Sequence, residues 1–210
     1  MPRVLIADDH PAVRRGLKEI IAEALPSAAI EEARNGAETL ALARKRKPDV
    51  VVLDVSMPGR SGLEVLKELK EEYPKVPVLV LSVHPEEQFA VRALKAGAAG
   101  YLTKESAPEE LVRAIRAVLT GRKYVTPAVA ERLAAAIEVG AGAAPHEVLS
   151  DREFHVMRML ASGKSVREVA DELSLSPKTV STYRTRLLRK MGMRTNADLT
   201  RYAVRHGLVS

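Results

Sequence analysis

The residues best equipped for chemistry in this chain are three aspartates, a serine and a lysine, each at the end of a short apolar run. Asp8 and Asp9 follow Val4-Leu5-Ile6-Ala7. Asp54 follows Val50-Val51-Val52-Leu53 and leads into Val55-Ser56-Met57-Pro58-Gly59, with Gly62 just beyond. Ser82 closes Val78-Leu79-Val80-Leu81, and Lys104 follows Tyr101-Leu102-Thr103. Carboxylates gathered at one edge repel one another. A hard divalent cation such as Mg²⁺ resolves that repulsion and also recruits phosphate oxygens. Phosphoryl transfer to a carboxylate needs an in-line nucleophile, a metal to neutralise charge, and donors for the equatorial oxygens. Asp54 is costly to bury unless something uses it, and is read as the phosphoryl acceptor. Singly, each residue has a plainer reading as a turn, a helix cap or a solvated lysine. The chemistry rests on four strand ends agreeing.

The elements that must position these groups follow from hydrophobic period. Unalternating, β-branched runs such as Val50 to Leu53 read as strands buried on both faces, the kind found in parallel sheets. Strands are predicted over 3–7, 29–33, 50–54, 76–82 and 99–103. Helical spacing predicts helices from Pro11 to Leu25, Gly36 to Arg46, Gly62 to Tyr73, Pro85 to Ala96 and Ser106 to Leu119. Ser106 is expected to cap the last of these, with Glu109 closing a capping box and Pro108 in the first turn. Five strands alternating with five helices imply an α/β, doubly wound, five-stranded parallel sheet. The flavodoxin-like order 2-1-3-4-5 suits this size and brings the ends of strands one, three, four and five together.

After residue 121 the character changes. Pro127 to Val139 reads as an amphipathic helix, and Gly140 to Pro145 as a flexible Gly/Ala-rich linker. From Ser150 on there is no strand signal. Capping boxes at Ser150/Glu153 and Ser165/Glu168 open helices from Arg152 to Ala161 and from Val166 to Leu173. A turn at Ser174-Leu175-Ser176 leads to a helix from Pro177 to Met191, ended by Gly192. A last helix runs from Asn196 to His206. The expected organisation is therefore residues 1–121, a connecting stretch with a short helix at 122–147, and a small all-α domain at 148–210.

Charge separates the two halves. The net charge is +6, and residues 150–210 hold 12 of the 33 Lys/Arg against 6 of the 27 acids. A basic excess confined to the last third is an electrostatic footprint for a polyanion such as nucleic acid. The pair of helices at 166–173 and 177–191 is a helix-turn-helix pattern whose second helix would lie in the major groove. Val180, Leu187, Leu188 and Met191 form an inward stripe. That leaves Lys178, Thr179, Ser181, Thr182, Tyr183, Arg184, Thr185, Arg186 and Arg189 mostly facing out. Hydroxyls, an aromatic ring and guanidiniums can bond phosphates and base edges. Cysteine is absent, which excludes disulfides and thiolate metal sites and fits a reducing compartment. No stretch approaches a membrane span, and the N-terminus lacks the apolar core of a signal peptide. A cytoplasmic location is expected.

Residues 1–120 resemble the receiver domain of bacterial response regulators. The resemblance is carried by Ala7-Asp8-Asp9-His10, by Asp54 with Met57-Pro58-Gly59 and Gly62, by Leu81-Ser82, and by the run from Ala96 to Lys104. Leu149-Ser150-Asp151-Arg152-Glu153, Ala161 to Ser165, Leu175 to Val180 and Leu187 to Met191 resemble the LuxR-type DNA-binding domain. That order is similar to the NarL/FixJ family of two-component regulators. The resemblance implies that a histidine kinase phosphorylates Asp54. It implies that Asp8, Asp9, Asp54 and the main-chain carbonyl of Ser56 hold Mg²⁺, Asp8 partly through water. Ser82 and Lys104 would contact the phosphoryl group, and Ser82 with Tyr101 would be the switch pair. Ser181, Thr182 and Thr185 would meet bases. Lys178, Thr179, Tyr183 and Arg189 would meet phosphates, with Arg186 also in the DNA set. The last helix resembles the family's dimerisation helix, so a homodimer on double-stranded promoter DNA is expected, with RNA polymerase as a further partner that such a regulator can take. The only catalysis expected is self-phosphorylation and dephosphorylation at Asp54. Glu105 departs from the pattern, since many receivers carry Pro there. Ser56 and His84 occupy positions that tune phosphate lifetime in the family, and His10 reads as structural or kinase-contacting.

Three other classes compete. A haloacid-dehalogenase-like phosphatase also uses an Asp after a strand, but needs a second Asp where Ser56 stands. A flavodoxin-like electron carrier needs a phosphate-cradling loop where Asp8-Asp9 would repel phosphate. A pure protein-interaction module would bind no DNA, and strongly salt-dependent DNA binding would exclude it.

Overall fold

The computed structural model describes residues 1–57, 62–82, 86–127, 129–131, 144–173 and 175–209. The chain divides into two compact units, Met1–Glu138 and Val139–Ser210.

The first unit is built on β1 (Arg3–Ala7), β2 (Ala29–Ala33), β3 (Val50–Asp54), β4 (Val78–Ser82) and β5 (Gly100–Thr103). All neighbours pair in parallel, in the order β2-β1-β3-β4-β5. The helices are α1 (Pro11–Ala24), α2 (Gly36–Lys45), α3 (Gly62–Glu72), α4 (Glu86–Lys95) and α5 (Ala107–Leu119). The strands that read as unalternating apolar runs are the buried ones. Every residue of β3 and β4 is buried, as is β1 from Val4 onward. The weaker candidate, β2, is the half-exposed edge. Burial on both faces is what forces β-branched residues at consecutive positions. Ile6, Val52, Leu79, Leu81 and Leu102 join Leu17 and Ile21 of α1 and Leu111 and Ile115 of α5 in one core cluster.

Register sets the chemistry. Ala7 pairs with Leu53, Asp54 with Leu81, and Ser82 with Thr103. Asp54 and Ser82 in those pairs, and Asp8 and Lys104 one step past them, share the carboxyl edge of the sheet, where open α/β sheets place their sites. Gly62 serves that edge too. A Cβ there would fall 2.5 Å from Val55 Cα and closer still to the main-chain oxygen of Asp54.

Some expectations are corrected. Ser106 is in the helical region and its side chain caps nothing. Its hydroxyl instead donates to the Thr103 carbonyl at 3.2 Å, and its N–H donates to Thr103 Oγ1 at 3.1 Å. The nearby Thr103 hydroxyl wins over the helix N–H groups. Strands β4 and β5 begin later than predicted, at Val78 and Gly100. The stretch after α5 does not leave the sheet at once. Tyr124 bridges Gly100 in parallel, and its N–H donates to the Ala99 carbonyl at 2.8 Å. Pro145, expected at the end of the flexible stretch, opens a 3₁₀ turn, Pro145–Val148. Pro58, Gly59, His84, Gly140 and Ser174 lie outside the described residues. So does most of the helix expected over 127–139, although residues 127 and 129–131 are helical.

The second unit contains α6 (Asp151–Ala161), α7 (Val166–Glu172), α8 (Pro177–Met191) and α9 (Asn196–Arg205). Its helix starts are written in side chains. Ser150/Glu153, Ser165/Glu168 and Thr195/Asp198 form reciprocal capping boxes. Ser176 accepts from the Thr179 N–H, with Pro177 at the first position. Each such cap stabilises its helix by about 1 kcal/mol. Gly192 ends α8 with φ 66°, a left-handed conformation that costs glycine nothing. Phe154, Met157, Val169, Val180, Leu187 and Leu199 are buried in this unit's core.

Candidate functional site

At the sheet edge the acidic residues meet. Asp54 and Asp8 are buried, at 0% and 1% exposed, and Asp9 is partly exposed. Ligand atoms of Asp8, Asp9, His10 and Asp54 all lie within 4.8 Å of one another. Both oxygens of Asp54 are held. Oδ1 accepts from the Ser56 N–H at 2.8 Å, and Oδ2 accepts from Lys104 Nζ at 2.8 Å. Lys104 Nζ is also 2.7 Å from Asp8 Oδ2, so one ammonium bridges two buried carboxylates. Asp8 Oδ1 accepts from the His10 N–H at 2.8 Å. Asp9 Oδ1 is buried without a hydrogen bond, although His10 Nδ1 stands 3.0 Å away.

Electrostatics follow from this burial. Desolvation pushes the Asp54 carboxyl above its ordinary value, against the opposing pull of Lys104 and the Ser56 N–H. Burial draws the Lys104 ammonium down, but Asp54 and Asp8 together hold it above the usual lysine value. A more basic carboxylate beside a retained ammonium is a nucleophile next to a phosphate-oxygen donor.

Ser82 and Tyr101 are both fully buried. Ser82 ends β4 opposite Thr103, and its carbonyl accepts from the Lys104 N–H at 2.8 Å. Ser56 Oγ is buried without a hydrogen bond. The exposed imidazole of His10 sits at the rim.

Arg14 was missed by sequence reasoning. It is 9% exposed, and its Nη1 donates to the Asp8 carbonyl at 2.7 Å. The signal was present: positions 14, 17 and 21 form the buried stripe of α1, and a basic residue in an apolar stripe needs a partner.

In the second unit, α8 buries Val180, Leu187, Leu188 and Met191 as its spacing requires. Lys178, Ser181, Thr182, Thr185, Arg186 and Arg189 are exposed, and Thr179 and Tyr183 are partly so. Two of the exposed hydroxyls already donate inside the helix: Thr182 to the Lys178 carbonyl and Thr185 to the Ser181 carbonyl, both at 3.0 Å. They remain free as acceptors. Arg184 turns away from this face, its Nε donating to Asn196 Oδ1 at 2.7 Å and so tying α8 to α9.

Residues 4–116 match the family model of the response regulator receiver domain, and residues 147–203 match that of the bacterial regulatory proteins of the luxR family. This chain is a response regulator of the NarL/FixJ family. The response regulator is 41% identical to GacA of Pseudomonas aeruginosa over 210 residues, covering all of this chain and 98% of that one. It is 38% identical to UvrY of Escherichia coli K12, covering 99% and 96%. Among solved structures it resembles RcsB of Salmonella enterica serovar Typhimurium bound to promoter rprA with the phosphomimetic BeF₃⁻. That match has a TM-score of 0.62 at 27% identity and covers 96% of this chain and 98% of RcsB. A LuxR-family regulator from Aurantimonas matches with TM-score 0.60 at 37% identity, over 66% of this chain and 99% of that chain. The response regulator is thus a phosphorylation-dependent, DNA-binding transcription regulator rather than a classical enzyme. No helix among its described residues is long and apolar enough to cross a membrane.

Proposed function

We propose that Asp54 accepts the phosphoryl group and that its modification controls DNA binding by α8. The observation that carries this is the single buried carboxylate at the end of β3, held by the Ser56 N–H and by Lys104 beside Asp8. In the transfer, an oxygen of Asp54 forms a bond to phosphorus as the bond from phosphorus to the donor's imidazole nitrogen breaks. The nitrogen leaves with the electron pair. A sensor histidine kinase is the donor class. Lys104 exchanges part of its contact with Asp54 for a phosphoryl oxygen, and the Ser82 hydroxyl binds another. Hydrolysis of the acyl phosphate at the same residue resets the protein.

Asp8, Asp9, Asp54 and the carbonyl of Ser56 would hold Mg²⁺. The donor set fits a hard cation: three clustered carboxylates, one with a buried oxygen that accepts no hydrogen bond. When bound, the ion neutralises charge that builds on the transferring group. Tyr101, buried beside this edge on β5, is the residue through which movement of Ser82 reaches the surface.

The receiver is assigned residues 1–121, the connection 122–147 and the DNA-binding domain 148–210. Ser181, Thr182 and Thr185 face bases. Lys178, Thr179, Tyr183, Arg186 and Arg189 hold the backbone. A homodimer places two α8 helices on half-sites about one helical turn apart. RcsB structures in complex with DNA and as dimers support that arrangement by likeness. RNA polymerase and a cytoplasmic location complete the reading.

Peptide mapping after treatment with a small acyl phosphate and Mg²⁺ tests the acceptor. The acid-labile phosphoryl group is expected on the peptide containing Asp54. A group found on another residue, or retained by Asp54→Ala, would overturn the assignment.

A further inference from the structure

We propose that Arg14 is the positioning residue of the cation-binding loop, holding Asp8 and Asp9 in place through the main chain, with Glu32 and Lys18 as its support. This rests on the reading of Asp8, Asp9 and Asp54 as the Mg²⁺ site.

The loop between β1 and α1 carries two of the three carboxylates, so something must fix its main chain. Two bonds do so at Asp8. Its N–H donates to the Ala33 carbonyl of β2 at 3.1 Å, and its carbonyl accepts from Arg14 Nη1 at 2.7 Å. The first is ordinary sheet pairing continued by one residue. The second is not supplied by any regular element, because the carbonyl of a strand-to-helix loop has left the ladder and has not joined the helix.

Arg14 is built for that role rather than for packing. An arginine only 9% exposed on the inner stripe of α1 is costly unless its charge is partnered. Its Nε lies 3.4 Å from Glu32 Oε2 on β2, an ion pair without a hydrogen bond, and Lys18 Nζ lies 2.7 Å from the other oxygen, Glu32 Oε1. The chain of contacts runs Lys18, Glu32, Arg14, Asp8 carbonyl, and joins α1, β2 and the acidic loop. A planar fork can point one nitrogen at the carbonyl and another at a carboxylate at once, which an ammonium cannot do. The guanidinium also brings a positive charge behind the two acids that would hold the cation.

Groups behind metal ligands set affinity through orientation, and losing one costs about 10–100-fold in metal binding or activity. Isothermal titration of the full chain with MgCl₂ is the test, in wild type, Arg14→Gln, Arg14→Lys and Glu32→Gln, beside thermal unfolding in EDTA. Arg14→Gln is expected to weaken Mg²⁺ binding about tenfold. Arg14→Lys should recover part of that loss, since an ammonium still reaches the carbonyl. In phosphorylation with a small acyl phosphate, the Mg²⁺ concentration at half-maximal rate should rise while the rate at saturating Mg²⁺ stays near that of wild type. If Arg14→Gln unfolds at lower temperature but binds Mg²⁺ with wild-type affinity, Arg14 is a packing residue and the proposal is overturned. If Arg14→Gln does not fold, Glu32→Gln decides. That variant keeps the bond to Asp8 and loses its support, so a roughly threefold weaker affinity upholds the proposal and an unchanged affinity overturns it. A wild type that binds no Mg²⁺ overturns the cation reading and this proposal together.

Discussion

Lys104 Nζ stands between two buried carboxylates, 2.8 Å from Asp54 Oδ2 and 2.7 Å from Asp8 Oδ2. One ammonium thus balances part of a charge that the sheet edge would otherwise leave buried and repelling. Removing one partner of a buried pair is far more costly than never having built it. Lys104→Met is therefore expected to lower the unfolding free energy by about 3 kcal/mol in EDTA. Added Mg²⁺ should restore more stability to this variant than to wild type. Urea denaturation with and without Mg²⁺ measures both, and a variant as stable as wild type in EDTA would contradict the account.

Gly62 is the second structural control on Asp54. A side chain there would press on the main chain of Asp54 and Val55, which are central strand and its exit, not flexible side-chain ends. Gly62→Ala should destabilise the receiver by about 1–3 kcal/mol or more, as overpacking of a tight site does. It should also reduce phosphorylation, because the acceptor itself is displaced. Thermal unfolding paired with intact-mass analysis checks this; a well-phosphorylated alanine variant would be contrary.

His155 gives the second unit an acid sensitivity. Burial, with Arg152, Arg158 and Lys164 nearby, draws its imidazole down to about 4 from the usual 6.5. As pH falls, the unfolded chain takes up the proton first. Stability present above pH 6.5 is therefore lost progressively toward pH 4 and levels off below it, to a limit of about 3 kcal/mol. Unfolding free energies of wild type and His155→Gln across that range should differ in slope, with the glutamine variant losing less. Parallel curves would remove His155 from the explanation.

On α8 the exposed side chains divide by the bonds they already make. Arg189 and Lys178 are cations without an intrahelical duty, so alanine at either should weaken all DNA sequences alike and reduce the salt slope by about 1. Thr185 donates to the Ser181 carbonyl and keeps only acceptor capacity, which favours exocyclic amines of A or C. Thr185→Val should relax preference at one base pair by about 1–3 kcal/mol with little change in salt slope. Fluorescence anisotropy against a panel of single-base variants separates the two behaviours.

Much of this was legible in the residues. Val50 to Asp54 declared a doubly buried strand with a charge at its end, and the register of β1, β3, β4 and β5 then follows from topology. Capping boxes at Ser150 and Ser165 appeared in the structure because their partners lie three residues away, within reach of local pattern. What failed was decided by competition or distance. Ser106 has the spacing of a cap but Thr103 offers its hydroxyl a nearer partner. Arg184, expected to face mostly outward, instead donates to Asn196, twelve residues on. Arg14 hides in plain view because only the fold brings the Asp8 carbonyl over its side chain.

The central claim is that one phosphoryl group on Asp54 raises DNA affinity. The direct measurement is binding of a promoter-length duplex by wild type and Asp54→Ala, before and after treatment with Mg²⁺ and a small acyl phosphate, with intact mass recorded on the same samples. The account predicts that wild type gains one phosphoryl group and binds more tightly, while Asp54→Ala gains neither. Equal tightening of the alanine variant, or a phosphorylated wild type with unchanged affinity, would contradict it.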